Sequence, residues 1–502
     1  MGRILSALGN LDWGMVCAFL VLCATTVIAA SAQALTTMYS FNGTDGALPF
    51  ALVQANDGNF YGTTSNGGKT SSPCNTTSGC GTVFKITPSG ALTTLYRFCA
   101  QSACSDGYSP SGLAQSASGD FYGTASAGGN TNCQSGCGTV FKITPGGKLT
   151  TLYSFCSQNG CTDGYLPTGL VRAPSGDFYG TTYHGGAHGE GTVFKVTPAG
   201  TLTTLYSFCA QNRCTDGAYP YAGFVQGANG DLYGTTIYGG ARQHAGAVNG
   251  AGTVFEITPS GTLTTLHRFC SQSGANCADG QNPNALIQAT NGSLYGTTVK
   301  GGINGRGTIF EIASGGALTT LYNFCSQSAC ADGANPLALV QATDGNFYGT
   351  TTWAGASGDG TIFEITQGGT LTTLYSFCSL DYPCTDQAYS LALVQGTDGN
   401  FYGTTAQGGT NNDGTVFSLS VGLGPFVKSL PAYGQAGAAV QILGNNLTGT
   451  TSVSFNGTAA TFTVVSQSLI TTTVPAGATT GTVQVVTPSV TLSSNAPFQV
   501  LP

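Results

Sequence analysis

The chain has 502 residues, of which only 7% are charged, with 76 glycines and a formal net charge of -7. Globular domains usually carry roughly 25% charge, so solubility here rests on Thr, Ser, Asn and Gly, and an acidic chain without a Lys/Arg cluster is excluded as a nucleic-acid binder. Hydrophobic residues at 41% are ample for a core, and the length implies more than one domain.

Residues 1–34 read as a secretory signal peptide, with Arg3 at the positive end, an apolar run from Met15 to Ala30 and a small-residue cleavage site at Ala32-Gln33-Ala34. The run falls short of the ~20 residues a spanning helix needs. The bulky Leu22 before Cys23 argues against lipid attachment. No later stretch is fit to cross a bilayer, so a secreted or cell-surface protein with no membrane span after signal removal is expected.

From Leu35 onward three words recur. Leu-Thr-Thr-Leu-Tyr-Ser-Phe or a near copy begins at Leu35, Leu92, Leu149, Leu202, Leu263, Leu318 and Leu371. Tyr-Gly-Thr stands at Tyr61, Tyr122, Tyr179, Tyr233, Tyr295, Tyr348 and Tyr402, spaced by 61, 57, 54, 62, 53 and 54 residues. Gly-Thr-Val/Ile-Phe follows each, beginning at Gly81, Gly138, Gly191, Gly252, Gly307, Gly360 and Gly414. A period near 50 residues signals a repeat architecture.

One unit reads as four short strands of period two, as in Ala338–Ala342, Asn346–Thr352, Gly360–Thr366 and Leu371–Phe377. Four strands repeated seven times predict an all-β, seven-bladed β-propeller over 35–421. The termini argue against an open solenoid. The chain opens on a lone fourth strand at Leu35 to Phe41, and the seventh unit stops after its third, so the N-terminal strand is expected to close the ring.

Loops after strands two and four share one face, opposite tight turns such as Asp57-Gly58. The loop face carries sixteen cysteines in local pairs: Cys74 with Cys80, Cys99 with Cys104, Cys133 with Cys137, Cys156 with Cys161, Cys209 with Cys214, Cys270 with Cys277, Cys325 with Cys330 and Cys378 with Cys384. An even count in an exported chain reads as eight disulfides, each contributing about 2 kcal/mol through its short loop. Zinc would ask for Cys-x-x-Cys pairs or adjacent histidines. Asp45, Asp106, Asp163, Asp216, Asp279, Asp332 and Asp386 follow the cysteines or their equivalents and read as turn caps rather than cation ligands. After a 422–425 linker, residues 426–502 alternate short Thr/Val-rich strands with Gly, Asn and Pro, a small β-sandwich pattern.

Residues 35–421 resemble the bacterial tandem-repeat family called GloVer, on the succession Leu-Tyr-Ser-Phe, Asp-Gly-Asn-Phe-Tyr-Gly-Thr-Thr, Gly-Thr-Val-Phe-Lys-Ile-Thr-Pro. The resemblance implies an exported surface protein with one of several C-terminal anchors, and no activity. Here the chain ends at Pro502 with no sorting signal, a departure from that pattern. The C-terminal region is similar to IPT/TIG immunoglobulin-like domains through Pro425, Pro431, Gly434, Gly437, Gln441 to Leu447, Val453 to Gly457 and Val474 to Gly477. That similarity implies a spacer or adhesive module.

No nucleophile elbow, His-Glu-x-x-His or phosphate-cradling loop occurs, so no catalytic residue, cofactor or metal is expected. Lys85, Lys142 and Lys195 give way to Glu256, Glu311 and Glu364 at one third-strand position, which reads as strand surface. The irregular cluster is Tyr183, His184, His188 and Glu190 in one loop with Tyr238, Arg242 and His244 in the next, and Trp353 at the equivalent place in the sixth unit. Aromatics with a few polar groups at a propeller mouth suit stacking on sugar or peptide. The expectation is a monomeric, non-catalytic binding or adhesion protein for an extracellular glycan or protein. The competing reading is a polysaccharide-active enzyme with its site at the mouth.

Overall fold

The computed structural model describes residues 34–70, 74, 78–227, 229–240, 250–271, 277–313, 315–378 and 388–501. Residues 1–33 of the expected signal therefore lie outside the described residues, as do Arg242, His244, Cys384 and Asp386, whereas Ala34, its expected last residue, opens a strand. Among the described residues the protein is all-β apart from four three-residue 3-10 turns, and no helix is long and apolar enough to cross a membrane.

The recurring words are complementary surfaces. In each repeat sheet the glycine of Tyr-Gly-Thr pairs across from the phenylalanine of Gly-Thr-Val/Ile-Phe, as Gly62 does with Phe84. A Cβ at Gly62, Gly123, Gly180, Gly234, Gly296, Gly349 or Gly403 would stand 2.3 to 2.6 Å from that ring, so only glycine fits under it. Beside them, buried threonines pair across the strands, Thr64 with Thr82 at 2.9 Å and Thr405 with Thr415 at 2.8 Å. The Tyr of one sheet then meets the Phe of the next, with ring centroids 4.2 Å apart for Tyr61–Phe121 and 4.1 Å for Tyr122–Phe178.

The repeat region forms six four-stranded antiparallel sheets and a further one whose first strand is broken in two. First strands begin earlier than the sequence suggests, at Ala334 rather than Ala338 in the sixth unit, because they include the turn-like Ala-Asn-Pro. Each carries a non-glycine residue at positive φ: Leu48, Ser109, Leu166, Tyr219, Asn282, Asn335 and Tyr389. The N–H of each donates to the residue before the third-strand glycine of the preceding sheet, for example Ser109 to Cys80 at 2.9 Å. The same stitch runs from Leu48 to Asp413 at 3.0 Å, joining the first sheet to the last. Ala34–Ser40 pairs antiparallel with Thr415–Ser420, and Phe60 meets Tyr402 at 4.1 Å, so the sheets close into a ring as the termini predicted.

Beyond the ring, two four-stranded sheets share one core that includes Val440, Ile442, Val453, Phe455, Ile470, Val485 and Phe498. This C-terminal unit sits on the tight-turn face. Ser468 Oγ donates to Asn56 O at 3.0 Å, Gln441 Nε2 to Ala117 O at 3.0 Å, and Phe426 N to Thr397 O at 3.0 Å. Lys428 Nζ donates to Gln395 O. The Gly-Pro segment is packed against the last hairpin, where a Cβ on Gly399 would meet Leu423 O at 2.3 Å.

Candidate binding site

The loop face is built on anchored turns. Asp106 and Asp163 are fully buried; each accepts from a fourth-strand tyrosine, Tyr96 at 2.7 Å and Tyr153 at 2.8 Å, and from loop N–H groups, Ala100 at 2.9 Å and Ser157 at 3.0 Å. Asp45, Asp216 and Asp332 repeat the arrangement, and His267 takes the tyrosine's place against Asp279 at 2.9 Å. The tyrosine–aspartate lock explains the aspartates without a cation. Burial and the aspartate raise the tyrosine hydroxyls, Tyr39 and Tyr153 to about 12.

Seven of the expected disulfides form. Cys74 is bonded to Cys80, Cys99 to Cys104, Cys133 to Cys137 and Cys156 to Cys161. Cys209 is bonded to Cys214, Cys270 to Cys277 and Cys325 to Cys330. Cys378 is also disulfide-bonded, and its expected partner Cys384 lies outside the described residues. These cysteines hold loops in place, some of them in the same core cluster that Tyr165 packs against, and they have backbone duties of their own. Cys214 O accepts from Gly217 N at 3.0 Å and Gly240 N at 2.9 Å, tying the loop after a fourth strand to the loop after the next second strand. Cys277 O and Cys330 O repeat this tie to Gly302 N at 2.9 Å and Gly355 N at 3.0 Å. Cys137 differs, because it ends a loop after a second strand; its carbonyl accepts the stitch from Leu166 N of the next sheet at 3.0 Å.

Among the described residues, the groups of three metal-ligating side chains are sets of these bonded cysteines. On the opposite face, Lys85 pairs with Asp57 at 2.9 Å and Lys142 with Asp120 at 2.6 Å. Glu256 accepts from Tyr233 at 2.7 Å and Glu364 from Asn346 at 2.7 Å, so this third-strand position, lysine or glutamate, serves its own hairpin.

The regular pattern breaks between the third and fourth sheets. The fourth sheet's first strand is split into Ala218–Pro220 and Val225–Gln226. Five steps along the chain from Pro220 to Val225 oppose three from Thr236 to Tyr233, a bulge that turns Tyr221 outward to 49% exposure. In five other repeats a second-strand threonine bonds a carbonyl of the next sheet, as Thr63 does Ser111 O at 2.7 Å. At this junction Thr181 instead meets Thr168 Oγ1 within its own sheet at 2.6 Å.

Six rings gather over that break. Tyr183 lies 4.7 Å from His184, 5.0 Å from Tyr219 and 6.0 Å from Tyr221. His184 stacks on Tyr165 at 5.2 Å, and Tyr219 reaches Tyr238 at 5.7 Å. Glu190 stands beneath them, its Oε2 buried without a hydrogen-bond partner. The nearby Glu190 carboxylate, helped by burial, pushes the Tyr219 hydroxyl up to about 12. Burial lowers His184, which favours the neutral ring at neutral pH. The result is an electron-rich, partly desolvated aromatic surface over one carboxylate.

Of the residues singled out in the sequence, Tyr183, His184 and Tyr238 therefore come together, but at the ends of second strands rather than in loops. His188 is exposed at a loop tip. Trp353 is 52% exposed at the end of the sixth sheet's second strand, where it meets Tyr389 at 5.3 Å, apart from the cluster. Tyr165, Tyr219 and Tyr221 escaped sequence reasoning. The signal available was the extra residue in Ala218 to Gln226, nine residues where Tyr165 to Arg172 has eight.

The closed ring of sheets defines a propeller-like, all-β repeat protein. A catalytically inactive virginiamycin B lyase from Staphylococcus aureus, solved with quinupristin, shares this fold at 15% identity and TM-score 0.50 over 77% of this chain and 99% of that one. The extracellular domain of a hybrid two-component system from B. thetaiotaomicron is similar at 11% identity and TM-score 0.48, over 91% of this chain and 53% of that one. No curated protein matches the chain. It belongs to the Gloeobacter/Verrucomicrobia repeat family, whose model matches residues 25–248 and again 243–465.

Proposed function

We propose that residues 35–421 are a seven-bladed β-propeller joined through 422–425 to an IPT/TIG immunoglobulin-like sandwich at 426–502. In this reading the chain is an exported, monomeric, non-catalytic binding protein that recognises an extracellular glycan on its loop face. The observation that carries it is the six-ring cluster of Tyr165, Tyr183, His184, Tyr219, Tyr221 and Tyr238. Aromatic faces with a few polar groups at a rigid mouth suit the apolar faces of sugar rings. Two further observations agree. The disulfides fit an oxidising compartment. The sandwich seats on the tight-turn face, which leaves the loop face clear.

A glycan array with product analysis tests this. Glycan binding is expected, without turnover, and Tyr183→Ala should weaken it about tenfold while leaving the thermal midpoint near that of the wild type. Binding to proteins alone would move the recognition to a protein partner. Turnover of any glycan would establish a polysaccharide-active enzyme instead.

A further inference from the structure

A second break in the repeat lies on the opposite face. The last residue of each first strand is Gln54, Gln115, Gln226, Gln288, Gln341 and Gln395 in six repeats, and Arg172 in the third. Three of the glutamines accept a hydrogen bond from the preceding hairpin: Gln115 Oε1 accepts from Asn56 N at 2.9 Å, and Gln341 Oε1 from Thr290 N at 2.8 Å. Gln54 does the same for Thr397 N at 3.0 Å across the ring closure. A guanidinium has no acceptor, so Arg172 is unfit for this task. At its junction Gln441 of the C-terminal unit bonds Ala117 O instead.

Arg172 lines a cleft of ≈ 520 Å³ between the third repeat and the C-terminal unit. The walls are mainly apolar, from Pro174, Leu430, Val440 and Leu501. Tyr433 also lines the cleft, and its hydroxyl is buried without a hydrogen-bond partner. Arg172 has no carboxylate partner among the described residues, and burial lowers its pKa, a sign that its charge is partly stripped of water. A half-buried cation with no counter-ion among the described residues, lining the same cleft as an unused hydroxyl donor, is costly unless an anion completes it.

We infer that this cleft binds a small amphipathic monocarboxylate, held by the Arg172 guanidinium and the Tyr433 hydroxyl with its apolar body along Leu430, Val440 and Leu501. A planar carboxylate matches the guanidinium fork, whereas a dianionic phosphate would ask for more than one cation. The site is independent of the loop face and of what that face recognises.

Isothermal titration of the full chain with octanoate, acetate and octylamine tests it. Octanoate should bind saturably, acetate at least about tenfold more weakly, and octylamine not at all. Arg172→Gln installs the residue of six other repeats, and it should lower octanoate affinity on the order of tenfold or more with little change in thermal midpoint. Tyr433→Phe should lower it several-fold and decides the matter if Arg172→Gln does not fold. Absent octanoate binding, equal binding of octylamine, or unchanged affinity in a folded variant would overturn the assignment.

Discussion

The two faces of the ring are made by the same strands and are opposite in character. On the tight-turn face nearly every hairpin repeats one design, a first-strand glutamine and a turn around an Asx residue or serine, and the C-terminal unit docks on it. On the loop face the insertions differ in length, and buried aspartates and disulfides hold them. Regular surface suits a constant internal partner, whereas variable loops on a rigid frame suit recognition of something outside. Each face also contains a departure that opens a candidate site, Arg172 on one and the bulge at Tyr221 on the other. Those departures are where ligands are assigned.

The ring itself is what both faces depend on, so breaking it should have the largest effect. Deleting residues 34–41 removes the Ala34–Ser40 strand paired with Thr415–Ser420, together with the fully buried Phe41. That exposes a strand edge and a row of unpaired backbone groups. The expected cost exceeds about 5 kcal/mol, enough to abolish a cooperative melt by circular dichroism. Deleting 426–502 should leave a cooperative melt of the ring, because the C-terminal unit has its own core. A ring that survives the first deletion and not the second would reverse this ranking.

The comparison sharpens when one aspartate is removed from each face. Asp163→Ala leaves the Tyr153 hydroxyl and the Ser157 N–H of a buried lock without their acceptor, at a cost of roughly 3 kcal/mol. Asp177→Ala removes a hairpin ion pair to Lys195 at 3.9 Å and an exposed bond from the Ser175 hydroxyl, where the loss should stay below about 1 kcal/mol. Urea denaturation of both variants measures the difference. Equal losses would mean that the loop face is no better anchored than the hairpins.

Much of this was legible in the sequence because repetition states each structural demand seven times. The four strands, the closing role of Leu35 to Phe41, the local cysteine pairs and the side of the ring they occupy all follow from period-two patterning and turn residues. What the words do for one another was not legible. That Gly62 lies under Phe84, or that Tyr96 locks Asp106, depends on register between strands far apart in the chain. The candidate site was half visible. Tyr183, His184 and Tyr238 stood out as departures from the repeat, whereas Tyr165 and Tyr219 lie within the first two residues of first strands and join them only through the ring's geometry. Trp353 stood out for the same reason and lies elsewhere, because rarity in sequence carries no information on distance.

The most localised effect expected concerns how the tight-turn face holds its partner. Lys428 Nζ is enclosed at the junction, donating to Gln395 O and standing 5.3 Å from the centre of the Phe426 ring. Burial pulls its pKa down to about 8, with Asp398 opposing the shift. Below pH 8 the ammonium is charged whether docked or unfolded, so the native state carries the full desolvation penalty. Between pH 8 and the ordinary lysine value the unfolded chain binds more protons than the native one, and stability rises with pH. Tyrosines work the other way: Tyr39 and Tyr153, raised to about 12, make the native state hold more protons above pH 10, and stability falls there. The Lys428 contribution is therefore read as a difference between wild type and Lys428→Met, in which the tyrosine terms cancel. The wild type should gain on the order of 1–3 kcal/mol relative to the variant as pH rises from 7 to 10, measured from thermal midpoints. A difference flat across that window would show that Nζ keeps its water at the junction and that docking does not enclose it.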